Sequence, residues 1–288
     1  MAQTLVYGLF NGALYGIIAL GVALVFGVMR YLNLAHGSFI ILGAYASLIL
    51  FRLGVDPFVS IPVVAALLFL AGAILYLVCF SRFVVLPEGN KIKNSLLVSF
   101  GLMLLFDSVA TLVWTGEERS ISPWYSGLTF GLFGLRVPLI GLTGALLALA
   151  LILALHLILT RTYFGLSVMA VSQDPEAASL MGINIYRTFL ISFAISLALA
   201  SIPSVLIGLK SFSPTAGIQW FNKGIIVAML SGIGNVYGVF PAGLFLGTIE
   251  AISVFFFGAP YREVTGLVVF VLILILFPKG VRGRGAES

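Results

Sequence analysis

Polar residues in this chain fall into short intervals, and the stretches between them are apolar and long enough to cross a hydrocarbon layer as helix. These stretches lie near 4–29, 36–53, 58–82, 94–114, 138–160, 187–210, 222–257 and 262–278; about 20 apolar residues suffice for one crossing. A membrane β-barrel would instead alternate apolar and polar residues over segments of about ten. Segments 141–159 and 264–277 show no such alternation, so the pattern predicts helices.

Two stretches carry interruptions. The one at 222–257 is too long for a single crossing and contains Gly232, Gly234, Asn235, Gly238 and Pro241. It reads as two shorter helices joined by a glycine-rich turn. Early in the chain, 31–33 and 36–38 separate two apolar runs in the same way. The predicted fold is all-α: a polytopic membrane protein of about eight to ten membrane-embedded helices with two glycine-rich helix breaks. Residues 1–288 read as a single transmembrane domain without a soluble domain, because the longest polar loops, near 115–137 and 161–186, are short.

Composition sharpens this reading. Hydrophobic residues make up 61% of the chain and charged residues 9%, against about 25% charged in soluble proteins. So few charges could not cover a water-facing surface. The N-terminus lacks the basic region of a secretory signal, and 4–29 exceeds the usual apolar core of one, so the first span is expected to direct insertion itself. The lone Cys79 has no partner for a disulfide or a cysteine-based metal site within the chain. A net charge of +5 fits basic loop ends and not a nucleic-acid-binding surface.

Lysines and arginines favour cytoplasmic loops. Segment 82–93 and the tail with Lys279, Arg282 and Arg284 are therefore placed inside, with loop 161–186 on the same face by helix parity. Loops 115–137 and 211–221 then face outward. Arg119, Arg136, Lys210 and Lys223 fall outside or near that face and weaken the bias. Trp114, Trp124, Tyr125 and Trp220 are expected at outer span ends, where aromatic rings prefer the headgroup region.

Within the first span, Gly8, Gly12 and Gly16 recur every four residues, which lets another helix approach closely. The polar stretch with Asn33, His36, Gly37 and Ser38 exposes backbone groups that hydrocarbon cannot satisfy. It must pack against protein, line a wet cavity or turn at the interface. Ser231, Gly232, Gly234 and Asn235 have the same character in the other half. Paired interruptions point to a substrate path near the midplane, with two tight interfacial turns as the plain alternative. Asp107 and Glu250 lie in apolar stretches, where ionisable groups face a bundle interior or cavity; each is a candidate for transport or for a structural hydrogen bond. His36 and His156 sit near predicted span ends, as interfacial histidines do.

The most specific local signal is at 173–183. Asp174 suits an N-cap, Pro175 the first helical position and Gly182 the C′ position. They predict a short helix between membrane spans, too short to be stable alone. Glu176 opens it, and Ala177, Ala178, Leu180 and Met181 give it small and apolar contacts suited to a groove. No G-x-x-x-x-G-K-[ST] phosphate loop, H-E-x-x-H pair or nucleophile elbow occurs, so nucleotide hydrolysis would have to come from another chain.

Three stretches together resemble the permease subunits of branched-chain amino acid ABC importers, of the LivH type: 33–38 leading to Gly43-Ala44-Tyr45, the 173–183 loop, and 232–247. Within the loop, Glu176-Ala177-Ala178 followed by Gly182 is similar to the E-A-A-x-x-x-G signature of importer permeases. The resemblance implies a cytoplasmic coupling helix around Asp174–Gly182 seated in an ATP-binding subunit. It implies a path lined by the two breaks at a permease–permease interface, and outer loops that receive an extracytoplasmic solute-binding protein. The partners implied are two ATP-binding subunits carrying ATP and Mg, a second related permease and the lipid bilayer, with no nucleic acid and no cofactor in this chain. The location implied is the plasma (bacterial inner) membrane, with loop 161–186 and the C-terminus cytoplasmic. Similar permeases serve branched-chain or other amino acids, amides or urea. The rival reading is a stand-alone channel or secondary transporter for a small neutral solute.

Overall fold

The bundle is organised around its first helix. The computed structural model describes residues 1–132, 134–232 and 234–276. In it α1 (Ala2–Met29) is enclosed so fully that every residue from 12 to 25 is buried. A helix apolar on all sides needs such enclosure. Around it run α2 (His36–Arg52), α3 (Pro57–Leu75), α4 (Glu88–Trp114), α5 (Leu139–Arg161), α6 (Tyr163–Gln173), α7 (Pro175–Leu180), α8 (Ile185–Leu199), α9 (Ser201–Gly208), α10 (Gly217–Leu230), α11 (Val239–Phe257) and α12 (Tyr261–Leu276). A two-stranded antiparallel hairpin, β1 (Thr129–Leu132) and β2 (Leu135–Pro138), is added to the expected all-helical plan.

Among the described residues, six helical stretches are long and apolar enough to cross a membrane: Ala2–Met29, Pro57–Phe83, Gly89–Trp114, Leu139–Arg161, Ile185–Gly208 and Val239–Phe257. The shorter α2 is also apolar. Peripheral α3, α4 and α5 present Leu67, Leu70, Leu97, Leu112, Leu146 and Leu153 outward, a surface that lipid can cover and water would penalise.

α1 and α11 run antiparallel with their backbones in contact. A Cβ on Gly12 would lie 2.6 Å from the Gly243 carbonyl oxygen, and one on Gly8 2.8 Å from that of Gly247. Glycines at four-residue spacing on both helices make this approach feasible.

Capping sets several helix starts. Asp56 accepts from the Phe58 N–H at 2.9 Å, with Pro57 in the first turn, and Asn184 accepts from the Arg187 N–H at 3.0 Å. Thr162 likewise accepts from the Gly165 N–H at 3.1 Å and opens α6, so loop 161–186 holds a helix beyond the short one expected there. α4 starts at Glu88 and takes Lys91 and Lys93 into its first turns. α3 runs on through a π-helical turn, Tyr76–Phe80, and a 3₁₀ turn, Ser81–Phe83.

Of the aromatic residues expected at span ends, Trp114 ends α4 and Trp220 falls in the first turn of α10. Trp124 is exposed, whereas Trp114 stacks on Tyr45 at 4.3 Å and Tyr125 is buried with its hydroxyl on Asp56 at 2.8 Å. The Trp220 ring is 6.5 Å from that of Tyr15 on the central helix. The basic tail, Lys279, Arg282 and Arg284, falls outside the described residues.

Candidate functional site: two interruptions and a buried ion network on the central helix

After Met29 the chain leaves helical geometry at Arg30, φ 57°, and resumes it at His36. The freed backbone is satisfied by α4. Ser95 Oγ accepts from the Leu32 N–H at 3.1 Å, and Ser99 Oγ donates to the Leu32 carbonyl at 3.0 Å. Non-helical backbone persists at membrane depth only with partners of this kind.

Asn33, His36 and Ser38 are all buried. The His36 edge packs on Gly21 of α1, where a Cβ would lie 2.7 Å from its Cε1. This corrects the interfacial placement expected for His36. His36 Nε2 and both polar atoms of the Asn33 amide have no hydrogen-bond partner among the described residues. Gly37 meets the first turn of α10 backbone to backbone; a Cβ on Gly217 would lie 2.9 Å from the Gly37 carbonyl carbon. Ser38 Oγ donates to Asp107 Oδ1 at 2.7 Å. Asp107, half-buried on α4, thus belongs with this interruption. His156 is exposed and lies edge-on to Tyr237 at 5.1 Å.

The second interruption separates α10 from α11. Asn235 Oδ1 accepts from the Tyr237 and Gly238 N–H groups, both at 3.1 Å, and its Nδ2 donates to the Ser231 carbonyl at 3.2 Å. Gly232 and Gly234 take φ of 89° and 84°, values that suit a residue without Cβ. Pro241 falls in the first turn of α11, where its missing N–H costs nothing. Gly234 abuts Gly27 of α1, whose Cβ would lie 2.9 Å from the Gly234 Cα. Beside it is a cavity of about 290 Å³, lined by Gly27, Leu159, Met169, Ser172, Asn235 and Tyr237 among others. Both interruptions therefore pack on the Gly21–Gly27 end of the central helix.

Glu250 does not join either interruption. It is buried on α11, with Oε1 2.6 Å from Lys223 Nζ and Oε2 accepting from the Tyr15 hydroxyl at 2.9 Å. Lys223 also reaches Glu263 at 3.0 Å. Lys223, in the second turn of α10, is 4% exposed. Burial of either charge alone would be costly, and the pairing keeps both inside.

At the Gly21–Gly27 end of the bundle, α7 leaves it. Asp174 Oδ1 accepts from the Glu176 and Ala177 N–H groups at 2.9 and 3.0 Å, and Gly182 takes φ 85°. Ala178 is buried against the bundle, while Leu180 and Met181 are 89% and 84% exposed. Among the described residues no group of three His, Cys, Asp or Glu side chains could hold a metal. The arrangement is one of small backbones, amides and hydroxyls along an apolar bundle, suited to non-covalent passage of a solute.

The comparisons with known proteins agree with that chemistry. The family model described as "Branched-chain amino acid transport system / permease component" matches residues 4–277. The chain belongs to this family. It is a non-catalytic, multi-pass transport subunit. Its relatives include the high-affinity branched-chain amino acid transport system permease protein BraD of Pseudomonas aeruginosa, 28% identical over 98% of this chain and 95% of the relative. The LivH permease protein of Escherichia coli K12 is 27% identical over the same shares. A probable LivH of Methanocaldococcus jannaschii is 26% identical over 93% of this chain and 88% of its own. No solved structure matches the chain.

Proposed function

We propose that this chain is one permease half of an ATP-driven importer that passes branched-chain amino acids, Leu, Ile or Val, or similar small amino acids across the plasma (bacterial inner) membrane. Energy comes from two separate ATP-binding subunits that carry ATP and Mg, the second half from a related permease, and the solute from an extracytoplasmic binding protein. Residues 1–288 act as a single transmembrane domain. Six long spans and the shorter apolar α2 are found among the described residues, against the eight to ten expected; we assign α10 and α12 as further crossings.

The observation that carries this reading is α7. A two-turn helix turns Leu180 and Met181 outward, uncovered among the described residues, and a groove in an ATPase subunit would cover them. Asp174, Pro175 and Gly182 set its ends, Glu176 offers a charge, and Ala177 and Ala178 allow close seating. Loop 161–186 and the C-terminus are then cytoplasmic. Arg30, Arg82, Lys91, Lys93, Arg161 and Arg187 at helix ends on the α7 side support that orientation.

The path is assigned to the two interruptions, with Asn33, His36, Gly37 and Ser38 on one side and Ser231, Gly232, Gly234 and Asn235 on the other. The unpartnered Asn33 amide and His36 imidazole at the first interruption support a wet lining. Asp107 braces it through Ser38.

The test is to express Glu176→Lys and Gly182→Asp variants in a strain lacking the native copy. Membrane insertion is expected to persist while leucine uptake and recovery of ATPase subunits fall together. Unimpaired uptake by both variants, or solute flux in liposomes without any ATPase, would favour a stand-alone channel or carrier.

A further inference from the structure

Two further cavities open at the end of the bundle opposite α7, and Tyr7 and Asn11 of α1 line both. One, of about 350 Å³, lies against α11 and carries Arg262 from the first turn of α12. The other, of about 250 Å³, lies against α5 and α9 and carries Lys210. Most of its wall is apolar, with Phe10, Leu14, Ile140 and Leu206. α5 continues that apolar surface outward through the exposed Leu142 and Leu146, where lipid rather than water is the suitable cover.

Two cations meet here without an acid between them. Lys210 Nζ donates to Asn11 Oδ1 at 2.9 Å. The Arg262 guanidinium has no hydrogen-bond or ion-pair partner among the described residues. The nearby carboxylates are engaged elsewhere: Lys223 serves both Glu250 and Glu263, and Glu118 Oε2 accepts from the Ser211 hydroxyl. The Lys210 ammonium is crowded by protein although the residue is exposed. That crowding, and then the Arg262 charge, push it down to about 8. Cations close enough to feel each other, neither beside a carboxylate, favour a shared anion. A phosphate group suits both, because a guanidinium takes two of its oxygens by parallel hydrogen bonds and an ammonium binds it as a point charge. Basic residues are also disfavoured at this end when α7 is cytoplasmic, so their retention here calls for a specific anion.

We propose that this end of α1 is a binding site for one anionic phospholipid of the leaflet opposite α7. Its phosphodiester is held between Lys210 and Arg262, and an acyl chain lies along the wall of Phe10, Leu14, Ile140 and Leu206. The lipid ties the start of α12 to the segment after α9 across the first half of α1. It is a resident of the bundle and not its cargo, so the proposal needs the membrane placement of the chain but not the identity of the transported solute. A free phosphate ion would satisfy the cations and leave the apolar wall uncovered. A zwitterionic lipid would cover the wall but bring a cation of its own beside Lys210 and Arg262.

The test uses the full chain, purified in detergent with the subunits that accompany it and stripped of loosely held lipid. It is titrated with phosphatidylglycerol, with phosphatidylcholine of the same acyl chains, or with inorganic phosphate. Native mass spectrometry follows the lipid retained, and the thermal unfolding midpoint is read alongside. Phosphatidylglycerol is expected to be retained and to raise the midpoint, and the other two to have little effect. Lys210→Gln and Arg262→Gln are each expected to weaken retention of one phosphatidylglycerol per copy of the chain several-fold. Arg52→Gln, which removes an exposed cation at the end of α2, is expected to leave retention unchanged. Equal retention of the two lipids, equal stabilisation by inorganic phosphate, or an equal loss in Arg52→Gln would overturn the site. Should one cavity variant fail to assemble, the other variant and the comparison of the three ligands on the unaltered chain decide the matter.

Discussion

Lys223 and Glu250 are 2.6 Å apart, both nearly inaccessible, on neighbouring helices that pack against α1. With the Tyr15 hydroxyl on the second carboxylate oxygen, they tie α1, α10 and α11 together inside the bundle. Inside a membrane such a pair fixes relative helix positions, because each charge is tolerated only beside the other.

Removing one partner is therefore expected to be worse than removing both. Lys223→Met leaves a buried carboxylate whose one remaining cation-free partner is Tyr15, and loss of one member of a buried pair typically costs about 3–5 kcal/mol. The Lys223→Met/Glu250→Met double variant should recover much of that loss. Thermal unfolding midpoints of the detergent-purified variants check the ordering.

The glycine contact between α1 and α11 makes a position-specific prediction. Gly12→Leu drives a side chain into the Gly243 backbone, which has no rotamer with which to yield, and should abolish a monodisperse folded species on size-exclusion chromatography. Gly101→Ala on α4 has open space around it and should be neutral or raise stability, by about 0.5–1 kcal/mol at most.

Ser95 and Ser99 hold the backbone of the first interruption through Leu32. A Ser95→Ala/Ser99→Ala variant leaves that N–H and carbonyl unpaired, at about 1–3 kcal/mol each. Thermal stability should drop, and solute uptake should fall by more than protein level does.

At α7, Asp174→Ala removes the cap, worth about 1 kcal/mol. Gly182→Ala forces a side chain into left-handed geometry, at about 1–2 kcal/mol. Both should weaken ATPase association without reducing the amount of chain in the membrane. Leu180→Asp should do so most strongly, because it alters the exposed contact and leaves the helix fold intact. Quantitative co-purification of the ATPase subunits is the readout.

Much of this architecture was legible in local pattern. Long apolar runs fixed the positions of the main helices, and glycines at four-residue spacing flagged a close helix pair, though not which helix was the partner. α6 was missed even though Thr162 and Gly165 carry its cap signal, because the apolar pattern of 163–173 is short and lies between stronger features. The ion network was out of reach for a different reason. Tyr15, Lys223 and Glu250 come from three separate helices, and no local periodicity relates residues so far apart in sequence. Glu250 was singled out by its cost in an apolar run, whereas Lys223, near the start of a run, read as a flanking cation. His36 follows a break that resembles an interfacial turn, and only its contact with Gly21 reveals that it is buried.

The central claim is that this permease works with ATPase subunits docked at α7. The most direct measurement is affinity purification of the tagged chain from its native membrane, with identification of the co-purifying proteins and an ATPase assay of the eluate. Recovery of ATP-binding subunits and a second permease, with ATP hydrolysis lost in the Leu180→Asp variant, is the predicted result. Recovery of the chain alone, moving solute in liposomes without ATP, would contradict it.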